Sequence, residues 1–157
     1  MRHLIIDGYN VIHALKELRE MLAFGIDAPA GRLVDFAKQI HDNEAIRVTV
    51  VFDGKDGSID RPTPEASFSV IYAPADLSAD GVIEQLVAQS KNPEDTTVVT
   101  QDFSIAQLVR AAHSFVIDAQ AFRNWVDRSG VRQDAYMRKL KATKLDNHID
   151  LENRPLI

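Results

Sequence analysis

The sequence predicts an α/β protein, in which helices cover both faces of a central and mostly parallel sheet. Short apolar or β-branched runs alternate along the chain with segments whose apolar residues recur at helical spacing. This alternation is typical of strands joined by right-handed helical crossovers, which make neighbouring strands parallel. At 157 residues, of which 45% are hydrophobic, the chain can bury one substantial core.

The first strand is predicted over residues 3–6, where an apolar run ends at Asp7 and a glycine. Apolar residues then recur at i, i+4, i+7 and i+11, which predicts an amphipathic helix over about 10–23. Asp7 should therefore lie where a buried strand emerges, and Asn10 should lie in the first helical turn. A carboxylate and a carboxamide placed together can hold a hard cation or orient a water molecule at a phosphate.

The next segments continue the alternation. Pro29 fits the first position of a second helix, which carries apolar residues at Leu33, Phe36, Ala37 and Ile40. A β-branched run over 46–52 predicts a buried strand that ends at Asp53. Residues 54–65 contain two Gly and two Pro and are predicted to be an exposed loop, followed by a strand over 66–72.

The second half of the chain follows the same pattern. Its predicted elements are a third helix that begins at Ser78 or Asp80, a strand over 96–100, a fourth helix with Ile105, Leu108, Val109 and Ala112, a strand over 114–117, and a fifth helix capped by Asp118. From Ser129 the pattern weakens, so we expect one domain over 1–128 and a C-terminal extension over 129–157. The extension should be a basic helix over 132–144 followed by a tail.

The charge of the chain is unevenly distributed. Residues 1–122 carry 10 Lys and Arg against 18 Asp and Glu, whereas residues 123–144 carry 7 against 2. An acidic body with one basic segment suits a metal-using phosphodiesterase, and it equally suits a solvated C-terminal helix.

Four acids fall where predicted strands end or helices begin: Asp7, Asp53, Asp80 and Asp102. Because the carboxyl ends of parallel strands lie on one edge of a sheet, we expect these side chains to meet there. Glu84 lies one helical turn after Asp80 and can point the same way. Clustered carboxylates repel one another, and Mg²⁺ or Mn²⁺ would supply the countercharge. Taken singly, Asp53, Asp80 and Asp102 also fit the roles of helix caps or turn residues.

Four segments resemble a known family: IIDGYNVIH at 5–13, VVFDG at 50–54, ADGVIE at 79–84 and VVTQD at 98–102. They are similar to the YacP-like branch of the NYN domains, which belong to the PIN-like nuclease superfold, and the resemblance covers about residues 2–126. It implies a three-layer α/β/α fold with a five-stranded sheet in the order 3-2-1-4-5. It also implies metal-dependent endonucleolytic cleavage of RNA by a bacterial cytoplasmic protein, with mRNA on ribosomes as one substrate.

The resemblance implies specific roles for individual residues. The catalytic set would be Asp7, Asn10, Asp53, Asp80 and Asp102. The metal-binding set, with Mg²⁺ or Mn²⁺ as the ion, would be Asp7, Asp80, Asp102 and Glu84. Gly81, Gln101 and Phe103 depart from the residues usual in the family, which bears on how a phosphate beside the site is held.

Three basic residues are predicted RNA contacts. Arg32 lies on the second helix, and Lys55 and Arg61 lie in the loop that follows the second strand. A solvated surface role accounts equally for Lys55 and Arg61, and it is the more ordinary role for an Arg on a helix.

Other features narrow the partners. Because the first residues already form a core strand and no apolar run is long enough to span a bilayer, we expect a cytoplasmic protein without a signal peptide or membrane partner. No Gly-rich loop follows the first strand, which argues against a nucleotide cofactor. The alternative to a nuclease is a non-catalytic module that binds RNA or the ribosome, and the sequence leaves the oligomeric state open.

Overall fold

The computed structural model describes residues 2–54, 66–74 and 76–153. Its strands are β1 (His3–Asp7), β2 (Arg47–Asp53), β3 (Phe68–Ala73), β4 (Thr96–Val99) and β5 (Phe115–Ile117). Its α-helices are α1 (Gly8–Ala14), α2 (Lys16–Met21), α3 (Asp27–Glu44), α4 (Ala79–Ala88), α5 (Phe103–Ala111) and α6 (Ala119–Asn153). The strands form one parallel sheet in the order β3-β2-β1-β4-β5, which confirms the predicted class and strand order.

The sheet is buried on both faces, which explains why its central strands are almost continuously apolar. Leu4 and Ile6 of β1 pack on one side with α1, α2, α3 and the first turns of α6. Ile5 points to the other side and packs with α4 and α5. The alternation of side chains along β1 thus assigns consecutive residues to two separate cores and gives the three predicted layers.

The prediction of one continuous helix over 10–23 was wrong, because the structure has two helices there. Helix α1 begins at Gly8, and an extended backbone at Leu15 (φ −87°, ψ 119°) separates it from α2. Both Leu15 and Leu18 are buried, so the apolar spacing is the same on either side of the break. The guanidinium of Arg19 donates a hydrogen bond to the carbonyl of His13 at 2.9 Å, which satisfies an acceptor that the interrupted helix leaves open.

Helix α6 continues through Ser129, where the sequence pattern weakens, and past residue 145, where the sequence predicts a tail, as far as Asn153. The small residues Ser129 and Gly130 lie where α6 packs against α3. A Cβ atom on Gly130 would be 2.7 Å from the amide nitrogen of Gln39, and that amide donates to the carbonyl of Val126 at 2.8 Å. Close helix packing therefore accounts for the small residues here, and the domain division at residue 128 stays a prediction.

Among the described helices, none combines the length and apolar character needed to cross a lipid bilayer.

A candidate active site at the carboxyl edge of the sheet

The structure brings four of the predicted acids to one edge of the sheet. Asp7 ends β1 and Asp53 ends β2, while Asp80 lies in the first turn of α4 and Asp102 precedes α5. The negative charges of Asp80, Asp102 and Asp53 all raise the pKa of Asp7, which shows that the four side chains share one electrostatic environment. We call these four residues the acid cluster.

Asp7 is the buried member of the acid cluster, with 6% of its surface exposed. Burial is the largest cause that raises its pKa from 3.8 to about 6, and the three neighbouring carboxylates add to it. A hydrogen bond from Thr100 opposes the shift. No basic side chain contributes to the shift among the described residues, so that part of the chain leaves this repulsion uncompensated.

Thr100 is a site residue that the sequence reasoning missed. Its hydroxyl donates to Oδ2 of Asp7 at 3.0 Å and accepts from the backbone N–H of Asp102 at 3.1 Å. The available signal was a polar hydroxyl at the end of an apolar strand, two residues before an acid. Buried at 2% exposure, Thr100 holds two members of the acid cluster in fixed relation.

Asn10 plays a bridging part in the same network. Its carboxamide oxygen accepts a hydrogen bond from the backbone N–H of Gln101 at 2.7 Å. Helix α1 is thereby tied to the segment that follows β4, 91 residues further along the chain. This geometry makes Asn10 a residue that positions the edge of the sheet.

Two of the acids also accept hydrogen bonds from the first N–H groups of helices, and Asp102 is the N-cap of α5, as the structural alternative predicted. Oδ1 of Asp53 accepts from the N–H of Ala79 at 2.8 Å, and Oδ1 of Asp102 accepts from the N–H of Ile105 at 3.0 Å. The second oxygen of each carboxylate makes no hydrogen bond within the described part of the chain. Each acid can therefore bind the N-terminus of a helix with one oxygen and face a ligand with the other.

Asp80 has no capping role, because Ser78 is the N-cap of α4 and accepts from the N–H of Gly81 at 3.3 Å. The pKa of Asp80 is raised by burial and by the charges of Asp102 and Asp53. The Asp80 carboxylate is thus a further negative group that faces the acid cluster.

Glu84 and Arg32 lie apart from this network. Glu84 is exposed on α4, and its charge does not contribute to the shifted pKa of Asp7 or Asp80. The guanidinium of Arg32 lies 4.8 Å from the ring centre of Phe36, where it packs on the surface of α3. Lys55 and Arg61 fall outside the described residues.

A row of aromatic rings lies beside the acid cluster. The ring centres of Tyr9 and Phe52 are 5.1 Å apart, and Phe52 stacks on Tyr72 at 5.5 Å. Gly8 permits this arrangement, because a Cβ atom there would be 2.4 Å from the Phe52 ring. Burial raises the pKa of the Tyr9 hydroxyl, and interactions with Tyr72 and Asp53 add to the shift. The sequence analysis did not single out these rings.

The chemistry of the acid cluster suits a hard divalent cation, because it consists of carboxylate oxygens whose charge no described basic side chain compensates. The arrangement is not preassembled, however. In residues 2–54, 66–74 and 76–153, no three His, Cys, Asp or Glu side chains are grouped closely enough to hold a metal ion. An ion bound here would have to draw the carboxylates together.

Comparison with known proteins gives a consistent result. A family model described as "YacP-like NYN domain" matches residues 4–155, well beyond the segment over which the sequence motifs are similar. The crystal structure of Rae1 (YacP) from Bacillus subtilis has a TM-score of 0.74 at 24% identity, covering 99% of this chain and 91% of that chain. The W164L mutant of the same protein has a TM-score of 0.74 at 23% identity, covering 90% and 85%. No curated protein sequence matches the chain.

Proposed function

The chain belongs to the YacP-like NYN domain family, a family of PIN-like nucleases, and from that premise we propose that it is an endoribonuclease. It hydrolyses RNA phosphodiester bonds with the help of Mg²⁺ or Mn²⁺, in the cytoplasm, and mRNA on ribosomes is one substrate. The observation that carries the proposal is the acid cluster, four carboxylates from distant parts of the chain at the edge where open α/β sheets bind their ligands.

The residues of the acid cluster divide the work by their surroundings. Asp7, Asp80 and Asp102 would hold the cation, and Asp53 would add negative charge beside them. Thr100 keeps Asp7 oriented through its 3.0 Å hydrogen bond, and Asn10 fixes the segment that carries Asp102. When bound, a divalent cation would supply the countercharge that the described residues do not provide and would stabilise negative charge that develops on the phosphate.

The burial of Asp7 makes its charge state dependent on the cation. With a pKa of about 6, Asp7 is largely ionised at neutral pH, although its surroundings favour the protonated form. Cation binding and proton release are therefore coupled at this residue. We expect the affinity of the metal-free protein for Mn²⁺ to fall as the pH drops below about 6.

The proposal is tested by incubating the protein with structured and unstructured RNAs of defined sequence, in Mn²⁺ and in EDTA. We expect cleavage in Mn²⁺ alone, and loss of cleavage by at least about 100-fold in Asp7→Asn and Asp102→Asn. Asp35→Asn is the matched control, because Asp35 is an exposed acid on α3 on the other face of the sheet. Undiminished cleavage by Asp7→Asn would refute the proposal, since the activity would then come from another source.

The second candidate is a non-catalytic module that binds RNA or the ribosome. One observation favours it, namely that no described group of three acids is arranged to hold a metal ion. This alternative predicts RNA binding that is indifferent to Mn²⁺, without cleavage under any of the conditions above. Calorimetric titration with Mn²⁺ separates the two, because the nuclease must take up the ion and Asp7→Asn must weaken the uptake.

A further inference from the structure

A groove of about 360 Å³ opens beside the acid cluster, at the carboxyl ends of β4 and β5. Its walls include Thr100, Gln101, Phe103, Arg110, Val116 and Asp118. None of the predicted catalytic or metal-binding residues lies in its wall. Thr100 is nevertheless shared by both sites, because its hydroxyl bonds Asp7 and the residue also lines the groove. The groove is thus adjacent to the reaction site and connected to it through one residue.

Phe103 gives the groove an exposed aromatic surface. It is the first residue of α5, and 71% of its surface is exposed although its ring is wholly apolar. An exposed phenyl ring contributes little to folding, since its burial is what stabilises a core. A flat exposed ring beside a nucleic-acid-processing site is suited to stacking on a nucleobase, which is favourable for every base.

Arg110 gives the same groove a cationic group. It lies seven residues after Phe103 on α5, about 10.5 Å along the helix axis and on the same face. Its guanidinium makes no hydrogen bond or ion pair with the residues that the structure describes. A guanidinium without a protein partner can bind a phosphate through two N–H groups.

The remaining polar groups of the groove suit the edge of a base. Oδ1 of Asp118 accepts from the N–H of Ala121 at 2.7 Å, which leaves the other carboxylate oxygen available to accept from a base amino or imino group. The backbone of Gln101 is held by Asn10, so its exposed side-chain amide starts from a fixed position. The groove therefore offers a stacking surface, a phosphate-binding group and hydrogen-bonding groups in one place.

The geometry points to a nucleotide subsite: the groove holds the RNA nucleotide next to the scissile phosphate, with its base on Phe103 and a phosphate on Arg110. This inference rests on the proposed function in taking RNA as the ligand. It gives Phe103 and Arg110, which carry no part of the metal chemistry, the role of binding and placing the substrate.

The test measures binding and cleavage separately on the same variants. Binding is followed by fluorescence anisotropy with a labelled single-stranded RNA of ten nucleotides in EDTA, where metal-dependent cleavage cannot occur. We expect Phe103→Ala to weaken binding about 5- to 100-fold, and Phe103→Tyr to retain it. Phe24→Ala is the matched control, because Phe24 is also an exposed phenylalanine, with 92% of its surface exposed, but it follows α2 and does not line the groove.

Arg110 is tested by the salt dependence of the same binding. Arg110→Ala should make the slope of log affinity against log salt shallower by about 0.7, as expected when one phosphate contact of a single strand is lost. Lys38→Ala removes one positive charge from α3 and should leave that slope unchanged. In Mn²⁺, both groove variants should raise KM for cleavage with little change in kcat.

The outcomes separate the subsite from the proposed activity. Cleavage by the wild type with unchanged binding and KM in both groove variants would overturn the subsite and leave the nuclease standing. Binding that depends on Phe103 without any cleavage would support the subsite and overturn the nuclease. Loss of binding in Phe24→Ala equal to that in Phe103→Ala would also overturn the subsite, and absence of both binding and cleavage would overturn both.

Discussion

Substitution of Asp7 by Asn should make the metal-free protein more stable at neutral pH while it removes activity. The folded state holds Asp7 with a pKa of about 6, against 3.8 for an unperturbed Asp, so folding favours its protonated form. This contribution to stability is fully present at low pH and is lost as the pH rises from about 4 to 6. Above that window the ionised carboxylate costs about 3 kcal/mol, and at pH 4.5 it costs about 1 kcal/mol.

An asparagine at position 7 avoids that cost, and its carbonyl can still accept the hydrogen bond from Thr100. The amide N–H₂ group of that asparagine needs a hydrogen-bond partner in a buried site, and this requirement lowers the gain in stability by about 1 kcal/mol at any pH. We therefore expect Asp7→Asn to stabilise the protein by about 2 kcal/mol at pH 7.5 and to have almost no effect at pH 4.5. The difference between the two pH values is independent of the offset.

The assay is urea denaturation of both proteins in EDTA at pH 7.5 and pH 4.5, with Asp35→Asn as the control. For a domain of this size, the gain at pH 7.5 corresponds to an upward shift in midpoint of roughly 1 M urea. Added Mn²⁺ should raise the midpoint of the wild type and leave that of Asp7→Asn nearly unchanged. Equal effects of the substitution at both pH values would refute the assignment of a raised pKa to Asp7.

Three further predictions follow from individual contacts. Thr100→Val removes the hydroxyl that bonds Asp7, so it should lower cleavage at least about 10-fold and move the acid limb of the pH profile of cleavage to higher pH. Thr100→Ser should keep the wild-type rate and pH profile, and an unchanged profile in Thr100→Val would count against the contact. Gly8→Ala should destabilise the fold by about 1–3 kcal/mol in thermal unfolding, because its Cβ would clash with the Phe52 ring. Gly31→Ala, whose Cβ would meet no atom within 4 Å, should be neutral or stabilising, and equal effects of the two substitutions would contradict the clash. Glu84→Gln should leave the Mn²⁺ affinity measured by calorimetry within about 2-fold of wild type, because the charge of Glu84 does not contribute to the shifted pKa of Asp7 or Asp80. A loss of affinity of about 10-fold would show that Glu84 is a metal ligand after all.

The layout of the sheet was predictable because each central strand is short, apolar and followed by a helix pattern. The placement of Asp7 and Asp53 at one edge follows from parallel topology alone. The break at Leu15 was not predictable from spacing, since the apolar face of the helices is the same with or without it. The continuity of α6 through Ser129 depends on contacts with α3, which are far away in sequence.

The details of the site were less predictable for a similar reason. The part played by Thr100 depends on a hydrogen bond to a residue 93 positions away, and a threonine at a strand end has many ordinary uses. The dual use of Asp102, as a cap and as a member of the acid cluster, cannot be read from the chain, because both roles select the same residue type. Only the spatial arrangement shows that one oxygen is engaged and the other is open.

The position of β1 between β2 and β4 has a consequence for protein synthesis. A nascent chain that has emerged as far as β3 already holds Asp7 and Asp53, but it lacks the strand that covers the other side of β1 and carries Thr100 and Asp102 beyond it. The proposed nuclease is thus inert until the segment that carries Thr100 and Asp102 has been synthesised and has paired beside β1.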